Sequence, residues 1–495
     1  GEQVMSKYPL RHKQPHMVAE VFRHWKEGRK RVLMQCPTSG GKTIMFNHIA
    51  NLCEKKGYRV LIICDRRELI EQSWKKLWDG HGIHAGIILS GVSSAYQLPV
   101  QIASIQTLTK RNFPPNIDLI IIDECRGSVA PSYAPIFAFY NGAYFLGVDA
   151  TPIRTNGQGF DHLYDAMVLG PQIKEMEAMG ALTPARFFVN PINQSQLDRI
   201  GMVAGDYNEA QLANLMSQKD IVADVIKSKV KHAAGLKTIA FAVNVEHSKA
   251  VMRQYLAAGI SCMHVDGDTP DDDRKQIFRN FEHGRFEVLV NVGIATYGFD
   301  EPSIIVVQDI APTLSLARWL QKLGRGARNY PGKDHYKLLD HANGIQTHGL
   351  PNADRTWTLK ATASKKPKAK KFIVKQQGKQ IQIMSEREAP TQAEGVELVE
   401  LTPETLSFYK NAKKFDTIHK RQQSAGFKPL WAYFQYAEKY PDDMGLQELQ
   451  YIGTKLGFKP GWGYFKHKEL QEKAKSDAGE QAERWEQRTP FETKS

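Results

Sequence analysis

Three short stretches carry residue types whose order suits phosphate chemistry. The apolar run Val32–Cys36 leads into Pro37-Thr38-Ser39-Gly40-Gly41-Lys42-Thr43. Small residues let backbone N–H groups wrap phosphate oxygens at a helix N-terminus, where peptide dipoles favour an anion. In such a loop Lys42 bridges the β- and γ-phosphates, Thr43 holds Mg²⁺, and Thr38, Ser39, Gly40 and Gly41 form the wrap. Cys36 occupies the first glycine position of the strict GxxxxGK[ST] pattern, so an ordinary strand-to-helix turn stays open as the alternative. Further on, the apolar Leu119–Ile122 ends in Asp123-Glu124-Cys125-Arg126. Carboxylates at the end of a buried strand are costly unless a cation meets them. Asp123 is placed to coordinate a metal through water, and Glu124 to polarise an attacking water. The third stretch is Gln321-Lys-Leu-Gly-Arg-Gly-Ala-Arg328. Its guanidinium groups, planar forks, match phosphate oxygen pairs better than lysine does. A basic, solvated helix face is the plain reading of it.

The elements that position these residues show in the hydrophobic pattern. Val32–Cys36, Val60–Cys64, Gln101–Ile105, Leu119–Asp123 and Tyr144–Val148 are continuous apolar runs separated by helical stretches. Thr238–Ala242, Cys262–Val265, Val288–Asn291, Ile304–Gln308 and Lys337–Asp340 repeat the rhythm. Unbroken apolar runs indicate strands covered on both faces, hence parallel sheets. The fold class expected is α/β, two tandem doubly wound parallel-sheet domains plus a small, mostly helical C-terminal region. The expected boundaries are 5–175 and 221–355 for the two domains, with a connector at 176–220. A basic then acidic linker follows at 356–405, a helical repeat region at 406–475 and a tail at 476–495. A helix over Trp319–Arg328 would put Gln321, Arg325 and Arg328 on one face. In the C-terminal region Gly426-Phe-Lys-Pro-Leu-Trp-Ala-Tyr-Phe434 returns as Gly457-Phe-Lys-Pro-Gly-Trp-Gly-Tyr-Phe465. Each copy follows a helical stretch, which predicts two helical hairpins.

The 495 residues hold 66 Lys and Arg against 53 Asp and Glu, a surplus of 13 that suits a polyanionic partner. No apolar run is long enough to span a bilayer, so no membrane partner is expected. Five cysteines without a CxxC pair or metal-ligand spacing read as buried, reduced thiols of a cytoplasmic protein.

Phosphate loop, DExx box, Asp149-Ala-Thr-Pro152, Thr296-Tyr-Gly-Phe-Asp300 and Gln321–Arg328 stand in the order of the superfamily 2 helicases. Over about residues 8 to 345 the chain resembles the RadD and XPB-like DNA branch, including Leu10-Arg11…Gln14 ahead of the loop. The resemblance implies two RecA-like domains that clamp ATP and Mg²⁺. Gln321, Arg325 and Arg328 match QxxGRxxR, whose arginines act as fingers on the γ-phosphate. Gln14 would read the adenine edge with Arg11 in support, and Gly298 and Asp300 match inter-domain ribose and coupling positions. Strand contacts are implied for Arg66, Arg67, Gln106, Thr107, Asn244 and Thr296. Asn244 has a plain alternative as a helix N-cap.

The chain departs from the family at the DExx box. Arg126 stands where relatives have His or Asp, and Asp149 where they have Ser or Thr. Relatives join these positions to each other and to the motif VI Gln. The paired change predicts a salt bridge, with Arg126, Asp149 and Thr151 coupling the nucleotide to the strand-contacting motifs. In the repeats, Lys428 and Lys459 are candidates for phosphate, while Trp431 and Trp462 read first as core. RadD relatives carry cysteine-rich segments after the motor, and no cysteine follows Cys262 here. The function expected is an ATP-dependent DNA helicase or translocase of replication, repair or recombination, acting on single-stranded or forked DNA. An RNA helicase and a non-hydrolysing DNA clamp are the alternatives.

Overall fold

Alternation along the apolar runs decides which core each side chain enters. Leu33, Leu61, Ile63, Ile120 and Ile122 point into one cluster, while Val32, Met34, Ile62 and Ile121 point into another on the opposite face. A strand with apolar residues at every position must therefore lie between two helical layers. The computed structural model describes residues 7–153, 159–189, 196–293, 299–360 and 398–471, except 401–402, 426, 428, 441, 443, 459–461 and 464. Its first lobe holds β1 (Arg31–Gln35), β2 (Val60–Cys64), β3 (Gly86–Ile88), β4 (Val100–Ser104), β5 (Leu119–Asp123), β6 (Tyr144–Asp149) and β7 (Ala166–Leu169). They pair in the order β3-β4-β2-β5-β6-β1-β7, always parallel. Helices Gln14–Lys26, Lys42–Glu54 and Arg67–His81 cover one face through Met17, Met45 and Ile70.

The second lobe begins earlier than expected. β8 (Ala185–Val189) lies inside the stretch read as a connector, yet pairs in parallel with the strand Tyr336–Asp340, 151 residues later. Of its residues Phe188 and Val189 are buried. After β8 come β9 (Met202–Val203) and β10 (Asp206–Tyr207), an antiparallel hairpin whose two turn residues, Ala204 and Gly205, both have positive φ. Then follow β11 (Thr238–Phe241), β12 (Cys262–Val265), β13 (Val288–Asn291), β14 (Val306–Asp309) and β15 (Tyr336–Asp340). The sheet runs β12-β13-β11-β14-β15-β8, with parallel pairing throughout. The two parallel-sheet lobes are the α/β architecture expected.

Residues 350–355, expected as the end of the second domain, and 356–360, expected as the start of the linker, form one strap. They return to the first lobe, where the Leu359 carbonyl accepts from the N–H groups of Phe160 (2.6 Å) and Asp161 (3.1 Å). Gln172 donates its amide to the Arg355 carbonyl at 2.9 Å and accepts from the Arg355 N–H at 3.1 Å. Leu359 packs against the first lobe's core. The apolar Trp357 and Leu359 give this strap something to bury before the lysine-rich stretch begins.

The described residues from 399 to 471 form a separate compact unit. Its helices Pro403–Ala425, Pro429–Lys439 and Leu446–Lys455 enclose Phe415, Ala432, Tyr433, Tyr436, Leu449 and Ile452. Trp462 packs against that core, as expected. Among the described residues no helix is long and apolar enough to cross a membrane.

Candidate nucleotide site between the two lobes

The loop between β1 and the Lys42–Glu54 helix needs two left-handed residues, Ser39 at φ +65° and Gly41 at φ +86°. A Cβ on Gly41 would fall 2.3 Å from Gln14 Nε2, so glycine is required there for contact as well as for conformation. Gln14 donates to the Gly40 carbonyl at 2.9 Å and accepts from the Arg11 N–H at 2.9 Å, which binds the N-terminal segment onto the loop. Tyr8, Arg11, Gln14, Met176 and Asn329 line an adjoining cleft of about 330 Å³. Cys36, in place of a first glycine, tucks its thiol under the loop 3.5 Å from the Gly40 carbonyl. Burial pushes that thiol up to about 12, so it stays neutral.

Glu124 is the hub. Its backbone takes φ +51°, a left-handed conformation that costs a non-glycine residue about 1–2 kcal/mol. The turn brings its carboxylate to four partners. Lys42 Nζ lies 2.8 Å from Oε1, while Arg126 Nη2 (2.8 Å) and Gln321 Nε2 (3.0 Å) share Oε2. The Arg325 charge acts on it as well. Burial raises the Glu124 carboxyl, but Lys42 and Arg126 outweigh that and hold it below its usual range. Asp123 goes the other way: burial pushes it up and Glu124 adds to this, against Lys42, to about 7.

Arg126 makes a second ion pair, Nη1 to Asp149 Oδ1 at 3.2 Å. Asp149 is fully buried, and it also accepts backbone N–H groups from Arg126 (2.9 Å) and Thr151 (2.8 Å). One guanidinium thus joins the carboxylates that end two adjacent strands.

The second lobe meets the loop directly. Ser39 Oγ donates to the Gly324 carbonyl at 3.0 Å, and a Cβ on Gly324 would lie 2.3 Å from Thr38 Cγ2. The helix expected over Trp319–Arg328 spans Leu316–Leu323 instead. Gly324 and Gly326 turn the chain after it, so Gln321 lies on the helix while Arg325 and Arg328 follow its end. Those arginines converge on the Phe299 carbonyl, and Arg328 also pairs with Asp300. Lys322, which the sequence reading passed over, is buried and bonded to Asp309 at 2.5 Å and to the Ala311 carbonyl at 2.7 Å. Its signal was a lysine set between apolar Leu320 and Leu323.

Thr38 Oγ1, Thr151 Oγ1 and Gln321 Oε1 are buried without hydrogen-bond partners, polar capacity that a nucleotide or its water could use. Among the described residues no three His, Cys, Asp or Glu side chains form a metal cluster.

The strand candidates fall in several settings. Arg66 lines an inter-lobe cleft of about 280 Å³ with Phe241, Val243, Val292, Thr313 and Arg318. Arg67 donates to the Ser90 carbonyl at 3.3 Å, and Gln106 to the Asp65 carbonyl at 3.1 Å. Thr107 is buried, its N–H on Ser104 Oγ. Asn244 caps the Val245–Ala257 helix, accepting from the His247 N–H at 2.9 Å. Thr296, Gly298, Lys428 and Lys459 lie outside the described residues. Asp206 of the β9–β10 hairpin, unforeseen in sequence, bonds Thr313 Oγ1 (2.6 Å) and the Leu314 N–H (2.7 Å) just before the helix bearing Gln321, and Arg318 (3.3 Å) within it.

Residues 7–154 match the model of the res subunit of type III restriction enzymes, and 218–330 the helicase conserved C-terminal domain. A 51.5 kDa protein of a Lactococcus phage is 30% identical over 346 residues, covering 69% of this chain and 72% of its own length. The provisionally named ATP-dependent helicase IRC3 of Saccharomyces cerevisiae is 30% identical over 342 residues, with 64% of this chain and 49% of its own covered. For the DNA 3′-5′ helicase XPB of Kineococcus radiotolerans the identity is 25%, covering 48% and 43%. The chain therefore spans about half the length of these last two. Among solved structures, a DNA-bound type ISP restriction-modification enzyme, LlaBIII, aligns with TM-score 0.51 and 17% identity over 68% of this chain and 28% of its own. A fragment provisionally assigned as the HsdR subunit of a Vibrio vulnificus type I restriction enzyme aligns with TM-score 0.52 and 19% identity over 70% and 67%. Both likenesses concern the fold.

Proposed function

Since the chain belongs to the superfamily 2 DExx-box helicases, we propose that it is a nucleic-acid-stimulated ATPase that moves along or unwinds DNA. The observation that carries this reading is the double grip on Glu124, by Lys42 of one lobe and Gln321 of the other. A group that polarises the attacking water is thereby tied to the relative position of the lobes, so hydrolysis and lobe movement are coupled. In this reading Lys42 and the loop N–H groups bind the phosphates, and Tyr8, Arg11 and Gln14 border the base. Thr43 and Asp123 would hold Mg²⁺, which neutralises charge on the phosphate oxygens. Arg325, next to Gly324 of the inter-lobe contact with Ser39, and Arg328, three residues further on, would stabilise the departing phosphoryl group.

DNA is favoured over RNA by the XPB relative, although RNA helicases named DBP3 also match at 19–22% identity, and the basic surplus suits either polyanion. The five cysteines, free and buried, fit a reducing compartment such as the cytoplasm. The test is ATP turnover with single-stranded DNA, duplex DNA and RNA. Stimulation mainly by DNA is expected, with Glu124→Gln lowering turnover by roughly 100-fold or more. Stimulation by RNA alone would replace DNA as substrate, and no response to any strand would leave a DNA-binding clamp.

A further inference from the structure

The two nine-residue repeats of the C-terminal unit diverge in what they bury. Tyr433 of the first is buried and meets Trp462 of the second edge-on, with ring centroids 5.4 Å apart. Their second positions differ: Phe427 is exposed, whereas Phe458 packs on the core 4.7 Å from Trp462. The ninth position behaves alike in both, since Phe434 is 59% exposed and Phe465 70% exposed. One exposed phenylalanine needs no explanation. Two at the same repeat position, where burial would stabilise the fold, point to a ligand that uses both. Phe434 and the residue after Phe465, Lys466, meet at one side chain. The Phe434 ring lies 5.3 Å from Tyr433, and Lys466, next to Phe465 and paired with Glu469, sets its ammonium 5.8 Å over the Tyr433 ring.

We propose that Phe434 and Phe465 are stacking platforms for bases of a single-stranded nucleic acid, a contact site additional to the two motor lobes. A repeated reader suits a repeating ligand, and a polynucleotide offers phosphate and base at every step. Each repeat supplies one such ring at its ninth position, Phe434 and Phe465. Residues 403–471 hold eleven Lys and Arg against seven Asp and Glu, so the charge is complementary. The site lies outside the stretches that match the restriction and helicase families. It rests on the motor reading only for the class of partner.

The experiment compares binding of the full chain to a dye-labelled oligothymidylate and to an abasic oligonucleotide of equal length, by fluorescence anisotropy without nucleotide. The unaltered protein is expected to prefer the oligothymidylate by roughly 10-fold or more, as base–aromatic stacking provides. Phe434→Leu with Phe465→Leu keeps apolar bulk but removes both rings. It should bring oligothymidylate affinity down to the abasic value, leaving abasic binding and the melting temperature unchanged. Phe434→Trp with Phe465→Trp should retain the preference. An unaltered protein that does not distinguish the two strands overturns the proposal, as does a double leucine variant that distinguishes them equally well. Base preference without strand-stimulated hydrolysis would sink the motor reading and leave this site standing.

Discussion

Arg126 serves two carboxylates at once, Glu124 and Asp149. The buried member of the pair is Asp149, which also accepts two backbone N–H groups. Exchanging the two charges therefore cannot restore the site, because an arginine at 149 offers no acceptor to Arg126 N–H or Thr151 N–H. Asp149→Ala strands those donors and leaves Arg126 with Glu124 alone, so a loss of about 3–5 kcal/mol is expected. Arg126→Gln leaves Asp149 held by its backbone donors, with a loss of about 1–3 kcal/mol. Urea unfolding of the two variants and of the exchanged pair tests this. Full recovery in the exchanged pair would show that the ion pair alone matters.

At the scale of elements, the helix Val245–Ala257 depends on a histidine that must stay neutral. His247 is buried, and its Nδ1 accepts the Val243 N–H at 3.2 Å, so the ring proton sits on Nε2. Burial lowers its pKa to about 4. A depressed histidine takes up its proton in the unfolded chain first, so its stabilising effect is complete above about pH 6.5. That effect is lost as pH falls toward 4, at about 1.4 kcal/mol per unit for this one group. His341 and His348, lowered mainly by burial to about 3 and about 4, act in the same direction. Urea midpoints of the second lobe should fall between pH 7 and pH 5, and His247→Gln should flatten the slope. An unchanged slope in that variant would mean that His247 is accessible enough to ionise while folded.

Across the whole molecule, the strap at 350–360 ties the end of the second lobe to the first. Its bonds to Phe160, Asp161 and Gln172, and the packing of Leu359, join segments nearly 200 residues apart. Ending the chain after residue 349 should therefore lower the melting temperature by several degrees relative to a chain ending after 360. Calorimetry of the two truncations decides the matter, and equal melting would show that the strap adds nothing to the lobes' cohesion.

Local order in the chain was enough for much of this. Unbroken apolar runs set the parallel sheets, because strands covered on both faces leave no other pattern, and the lysine and carboxylates at their ends marked the phosphate site. The paired departure at Arg126 and Asp149 was also legible, because each residue violates the same motif from its own side. What required the tertiary structure was every contact closed over a long loop: Gln321 on Glu124 across 197 residues, and Ser39 on Gly324 across 285. β8 is recognisable as a strand of the second lobe only through its parallel pairing with β15, far along the chain, and the helix bearing Gln321 ends at Leu323, before Gly324 and Gly326. The exposure of Phe434 and Phe465 belongs to the same class, since a repeat's sequence names its rings and only packing chooses which of them face water.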